Sequence, residues 1–532
     1  MIGLHDTGDL ANIVGAAAAV VGVSGVLGGL ARRRRSWWRP MALFWTARQD
    51  TGTAGRYPLD AHVPSLLAVY VPRRAVPGSG TPDRPVPTDD LVLTGTGHVL
   101  LVGPPGGGKT ALVDQAESAS ARRWLTSRGR LRRAPAGPVV VAIAAADLVG
   151  QPLLHAVAAA CAPWVPERDR DPLARRRLVI LVDGLDAVVD ANARSDVINK
   201  LAHEAELLRR WRLVVTTRLL TAREVRTLHP FAVHHLVPFT RDDVTALAAA
   251  WFRTGREGVS TFVAWLEGQR LGDSARSPLL TTVAAVLWES DGPVEGRAPD
   301  PAALLDRFID LLLGARRHDL DEILGASEPL ASWVTGHLRD LLEVAADASL
   351  SGADVASATA AWARSRAPGE LPSGLVSRIL RCTGLFRAER DALVPAWPSL
   401  IDFLAAGPGS REPDLRTLST AVRDPSRRAV ATWTIGRAGK PEDLVGAILA
   451  GPSGPVDLAA AIAGGLAVPG RVRTQVLVAL LRDESPAAAT TLAGLASDPD
   501  TVSRLREIAR DEHQSRGVRQ AAQRFFAERA VA

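Results

Sequence analysis

Cysteine is nearly absent. Only Cys161 and Cys382 occur in 532 residues, far apart and in no metal-ligand spacing; this excludes a disulfide framework and a cysteine-based metal site, and points to two core residues in a reduced compartment. Excess positive charge is scarce too: the formal net charge is +6, and the run Arg32 to Arg35 alone supplies four of those charges. The remainder is nearly balanced, so the high isoelectric point does not by itself indicate nucleic acid. Glycine and proline, 46 and 36 residues, are plentiful but dispersed, which rules out a collagen-like chain and a long low-complexity tail. The chain is 47% hydrophobic, enough for roughly three to four domains, each with its own core.

One early stretch lacks charge altogether. Leu10 to Ala31, LANIVGAAAAVVGVSGVLGGLA, runs 22 residues and as a helix would extend about 33 Å, matching a bilayer's hydrocarbon core. RRRR, Trp37 and Trp38 follow it, while Asp6 and Asp9 precede it. Those flanks place the chain after residue 32 in the cytoplasm, and a cleaved signal peptide would carry its positive charge ahead of the apolar run. The expectation is a single-pass anchor in the cell membrane, residues 1–35, touching the lipid bilayer through Leu10 to Ala31. A buried Ala/Gly-rich helix of a soluble domain is the other reading. Gly25 and Gly29, like Gly15 and Ala19, stand four apart, a spacing at which another helix can approach closely. After Ser36 periodicity is lost, and VPRRAVPGSGTPDRPVP reads as a linker within 36–96.

HVLLVGPPGGGKTALVDQ, residues 98 to 115, runs a short apolar strand into Gly103, Pro104, Pro105, Gly106, Gly107, Gly108, Lys109 and Thr110, then a helical pattern. This is GxxxxGK[ST] between strand and helix. Its glycines let backbone N–H groups turn toward phosphate oxygens, Lys109 reaches the terminal phosphates, and the Thr110 hydroxyl ligates Mg²⁺. Such a loop needs a metal-holding partner, and RRLVILVD supplies one: five apolar residues closing on Asp183, 74 residues after Lys109, as in a buried parallel strand whose end delivers a carboxylate to phosphate-bound Mg²⁺. WRLVVTTR at 211 to 218 is a further buried strand, ending in Thr216, Thr217 and Arg218; the guanidinium would sense a γ-phosphate at the same sheet edge.

The order of these motifs resembles a NACHT-type member of the STAND class of P-loop NTPases, signalling ATPases that include immune and antiphage sensors. LVDGLDAVVD resembles the family's Walker B, VVTTR its sensor 1, and LVPFTRDDVTALAAAWF the strand and lid helix that follow. SPLLTTVAAVLW resembles the Pro-Leu-Leu segment, which implies that Pro278 lies near the nucleotide. TGLFRAERDALVPAWPSLIDFLAA resembles the winged-helix end. The likeness covers residues 65 to 406. Two positions depart from the pattern: Trp397 stands where many members have a histidine that touches the β-phosphate of ADP, and Ala187 where a glutamate is usual. Asp186 remains next door as a carboxylate to position water, so slow hydrolysis is expected.

The expected architecture is an α/β P-loop NTPase core with a mainly parallel sheet (97–240), a helical lid domain (241–318), a winged-helix-like domain (319–407) and an all-α C-terminal region (408–532), behind one transmembrane helix. Strands are expected near Val99, Val140, Leu181, Val214 and Leu236, and Leu304, Phe308 and Leu311 share one helix face. In the tail Leu415, Leu418 and Val422, then Val472, Val476 and Leu480, then Val502, Leu505 and Ala509 fall on helical faces, as in HEAT-type repeats or a plain bundle. The expected cofactors are ATP or ADP with Mg²⁺, and the expected catalytic set is Lys109, Asp183, Asp186 and Arg218. Expected partners are further copies of the chain on activation and an unidentified protein or ligand at the C-terminal helices. DNA binding through the winged helix is a further alternative, but in the family it resembles such a hairpin usually packs on the nucleotide site, and segment 370 to 406 shows no dense basic face, so nucleic acid is not expected. Two other classes remain: a scaffold that holds nucleotide without hydrolysing it, and an AAA+ motor, for which no arginine finger or second sensing arginine is recognisable.

Overall fold

The computed structural model describes residues 69–531 except 79–84, 127–137, 162–177, 189, 208–210, 219, 221, 253–255, 269–275, 293–299, 326–327, 390–391, 425–426, 452, 465–469 and 496–498. The stretch Leu10 to Ala31 lies outside the described residues. Among those described, no helix is long and apolar enough to cross a membrane.

Five strands form the parallel part of one sheet: β3 (His98–Val102), β4 (Val139–Ala144), β5 (Leu178–Asp183), β6 (Trp211–Thr217) and β7 (Phe231–Leu236). Two more, β1 (Arg74–Pro77) and β2 (Val86–Pro87), extend it antiparallel beyond β7, giving the order β2-β1-β7-β3-β6-β5-β4. All five expected strands are present. The apolar run of β5 is buried from Leu178 to Val182, as a strand covered on both faces requires. Alternation divides each strand between two layers. Val99 and Leu101 pack with Leu112, Val113 and Ala116 of the helix Lys109–Thr126, while Leu100 and Val102 pack with Val197, Ile198 and Leu201 of the helix Ala191–Leu207.

The span 36–96 is therefore not all linker. Its prolines obscured strands β1 and β2 and the helix Thr88–Leu93, yet Pro77 and Pro87 sit at strand ends near the sheet's margin, where a missing N–H leaves few ladder bonds unmade.

The helices from Arg241–Trp251 through Pro398–Arg411 share a second core containing Leu304 and Phe308, with Leu311 at its margin. The helix Arg241–Trp251 begins where the lid was expected, fixed by a capping box in which the Thr240 hydroxyl accepts from the Asp243 N–H and the Asp243 carboxylate accepts from the Thr240 N–H. The boundary at 318/319 falls inside the helix Arg317–Leu324, and that at 407/408 inside Pro398–Arg411, which carries Pro408 in its interior. Between the helices Ser373–Cys382 and Pro398–Arg411 lies an antiparallel hairpin, β8 (Phe386–Glu389) with β9 (Ala392–Pro395). A two-stranded hairpin by itself does not define a winged helix. The tail is helical and has its own core, with Leu418, Val422, Val472, Val476, Leu480 and Leu505 buried; Leu415 instead remains exposed.

Candidate functional site

The glycine-rich loop leaves the C-terminal end of β3, between β7 and β6, at the edge of the sheet where α/β folds place their ligands. Gly103 begins it, its N–H donating to the Thr217 carbonyl at 3.0 Å; a Cβ there would stand 2.8 Å from Leu236 Cδ1. Gly108 closes it with φ +85°, a left-handed conformation that a side chain would strain. The helix then starts at Lys109, so unpaired backbone N–H groups face an incoming anion.

Lys109 turns back over the loop and donates to the carbonyls of Gly103 at 2.7 Å and Pro104 at 3.0 Å. Burial pushes its ammonium down to about 8, although Asp186 and Asp183 pull the other way. Asp183 ends β5 between two hydroxyls: Thr110 donates to one carboxylate oxygen at 2.9 Å and Thr216 to the other at 2.5 Å. Burial nevertheless raises the Asp183 carboxyl above its ordinary range. Thr216 also accepts from the Gly184 N–H. Thr217 does not join this set; its hydroxyl is buried without a partner among the described residues.

Three more placements complete the site. The helix Pro278–Asp291 docks on the loop, with the Leu279 N–H donating to the Gly106 carbonyl at 3.1 Å and Pro278 Cγ 3.6 Å from where a Gly108 Cβ would stand. Pro104, Pro105 and Gly107 form the turn itself, closed by the Gly107 N–H on the Pro104 carbonyl. Arg218 bridges two acids: its Nε lies 2.8 Å from Asp186, whose other oxygen accepts the Arg218 N–H, and its terminal nitrogen lies 2.7 Å from Asp402. Burial alone would lower the guanidinium's pKa, but Asp402 and Asp186 hold it above its ordinary value. Asp402 is buried, and that burial raises its carboxyl despite Arg218.

The structure thus brings together Lys109, Thr110, Asp183, Asp186, Arg218 and Pro278, from four segments of the chain. This is a P-loop nucleotide site. Its donor set fits Mg²⁺: Thr110 Oγ1 and Asp183 Oδ2 are hard oxygen ligands side by side, and magnesium commonly takes one or two protein oxygens with the rest from water and phosphate. When bound there, the ion would neutralise phosphate charge. No protein-family model and no curated protein matches the chain. Among solved structures, 57% of the chain aligns with 90% of a Walker-type ATPase of Pyrococcus abyssi, at 14% identity and TM-score 0.25. It aligns over 83% of its length with 69% of a STAND-class signal transduction ATPase with a tetratricopeptide-repeat sensor from Pyrococcus horikoshii, at 12% identity and TM-score 0.28. Against the RuvB branch migration motor of Thermotoga maritima, 56% of the chain aligns with 84% of that protein, at 15% identity and TM-score 0.22. Superpositions this loose carry no argument about chemistry.

Two site residues escape sequence reasoning. Asp402, four residues into the helix Pro398–Arg411, is the group that meets Arg218; Trp397, the position marked as divergent, instead packs against Phe308 with ring centroids 6.1 Å apart. Arg73 is the other. It is 4% exposed, donates to the Val237 carbonyl and lies over the Phe239 ring at 4.6 Å. Its Cδ is 3.8 Å from a Gly108 Cβ position, and its Nε finds no acceptor among the described residues. Burial lowers its pKa to about 10. Its proline-rich neighbourhood gave no sign of it.

Proposed function

We propose that the chain is a membrane-anchored signalling ATPase of the NACHT/STAND type: a switch that binds ATP or ADP with Mg²⁺, hydrolyses slowly, and opens to assemble with further copies of itself. The observation that carries this reading is the double ion pair of Arg218. A phosphate-sensing arginine held by Asp402, on the helix that follows the β8–β9 hairpin, makes occupancy of the site and the position of that helix compete for one guanidinium. A ligand that draws Arg218 to a γ-phosphate releases Asp402, and differential affinity for the two states shifts their populations. Leu10 to Ala31 would hold the assembly at the bilayer, with the NTPase core in the cytoplasm, and the C-terminal helices would receive the signal from a protein or ligand. Defence or stress signalling is the biological setting that the resemblance implies.

A second reading has its own support. Asp186, the carboxylate left to position water beside Ala187, is already engaged by both the N–H and the Nε of Arg218, which favours a scaffold that holds nucleotide without turnover. Denaturing the purified full chain, identifying the nucleotide released and measuring phosphate release against Lys109→Ala separates the two. Released ADP with slow, Lys109-dependent turnover supports the switch. Tightly held nucleotide with no turnover above the variant sinks hydrolysis and leaves the scaffold.

A further inference from the structure

Away from the P-loop, the helix Ser373–Cys382 and strand β8 border a shallow, largely open pocket of about 650 Å³, lined by Arg378, Arg381, Arg387, Ile323, Cys382 and Phe386 among others. None of the nucleotide-site residues lines it. Arg378 and Arg381 stand three apart on one helix, where like charges meet and repel, and Arg387 reaches the same space from β8. All three are exposed. Arg378 and Arg381 form no ion pair among the described residues, and the nearby Asp319 is engaged by Arg316 at 2.8 Å. No dense basic face was expected in segment 370 to 406; laying the hairpin beside the helix puts these three arginines on one.

We propose that this pocket binds an organic phosphate, its anionic group gripped by Arg378 and Arg381 with Arg387 at the rim, and its body resting on Ile323 and Cys382. Guanidinium groups hold phosphate oxygens through paired N–H donors, which a lysine cluster would not orient. A bound phosphate would also tie the helix Ser373–Cys382 to the hairpin that leads into the Asp402 helix. The pocket is therefore a second ligand site, separate from the P-loop.

Cys382 supplies a local reporter, because the other thiol, Cys161, is 1% exposed and pushed up to about 12 by burial. The full chain in a phosphate-free, non-ionic detergent would be treated with iodoacetamide, and alkylation at Cys382 followed by mass spectrometry with pyrophosphate, AMP or a short DNA duplex added. Pyrophosphate and AMP should each slow alkylation by about threefold or more once the site is mostly occupied, equally in wild type and Lys109→Ala. The protection, taken relative to each protein's own ligand-free rate, should vanish in Arg378→Gln/Arg381→Gln and in Arg381→Glu alone; losing positive charge beside Cys382 itself slows ligand-free alkylation. Protection that survives both arginine variants, that disappears with Lys109→Ala, or that is absent throughout overturns the proposal. Protection by DNA but by neither small phosphate would instead make this face a nucleic-acid surface.

Discussion

Replacing Asp402 tests whether the nucleotide site and the Asp402 helix compete for Arg218. Asp402→Ala strands a buried guanidinium that retains only Asp186 at 2.8 Å. Removing one member of a buried ion pair costs about 3–5 kcal/mol; with one acid left, the lower end applies, so the closed arrangement should lose about 3 kcal/mol relative to the open one. That is about a hundredfold in the closed-to-open ratio. Asp402→Asn keeps the shape and a hydrogen-bonding oxygen but removes the charge, and should fall between. The assay is release of a fluorescent, non-hydrolysable ATP analogue after dilution into excess unlabelled ATP, with light scattering on the same samples. Slower release and a shift to larger assemblies are expected, strongest in Ala, then Asn, then wild type, because Arg218 no longer has to leave Asp402 for the γ-phosphate. Release rates within twofold of wild type in both variants, with unchanged mass, would refute the competition, because Arg218 would then be held equally well without Asp402.

Lys109 gives a pH prediction whose sign follows from its lowered pKa. In the nucleotide-free protein the ammonium loses its proton near pH 8, while phosphate binding requires it charged, so the bound state takes up a proton above that pH. Affinity for ADP should be flat below about pH 7.5 and weaken toward tenfold per pH unit above 8; calorimetry from pH 7 to 9.5 that finds a constant Kd would count against a buried, uncharged Lys109. Ala187→Glu restores a carboxylate beside Asp186 at an exposed position of the turn Leu185–Ala187. If water positioning limits turnover, phosphate release should rise by about a hundredfold with little change in nucleotide affinity; an unchanged rate would mean that another step limits it.

The parts of the site that were legible in the sequence are those whose chemistry dictates local order. The P-loop reads because strand, glycine turn and helix are contiguous, and Asp183 reads because a run from Leu178 to Val182 can be buried only as a strand whose end is free to present an acid. Arg73 and Asp402 are different in kind. Each is defined by what it meets across more than a hundred residues of chain: Val237 accepts from Arg73, and Arg218 lies beside Asp402. No local pattern distinguishes such a residue from its neighbours. Proline misled in two directions, hiding the marginal strands β1 and β2 and inviting a break at Gly407–Gly409 where the helix continues to Arg411.

That continuation connects the tail to the nucleotide site. The helix Pro398–Arg411 packs between Glu328–Leu350 and Arg428–Arg437, and the residue next to Asp402 is held from the C-terminal side. Arg437 donates to the Phe403 carbonyl at 3.0 Å and lies 4.3 Å over the Phe403 ring, which Trp433 meets edge-on at 5.1 Å. At the helix's end, Arg411 grips buried Glu343 through both terminal nitrogens, at 3.1 and 2.6 Å. Close-packed surroundings resist small continuous shifts, so Asp402 cannot retreat far from Arg218 while Phe403 keeps its seat. A ligand at the C-terminal helices that favours a different position of Arg428–Arg437 would therefore act on Arg218 through Phe403, and a phosphate that captures Arg218 would act back on the tail by the same contacts, as reciprocal coupling demands.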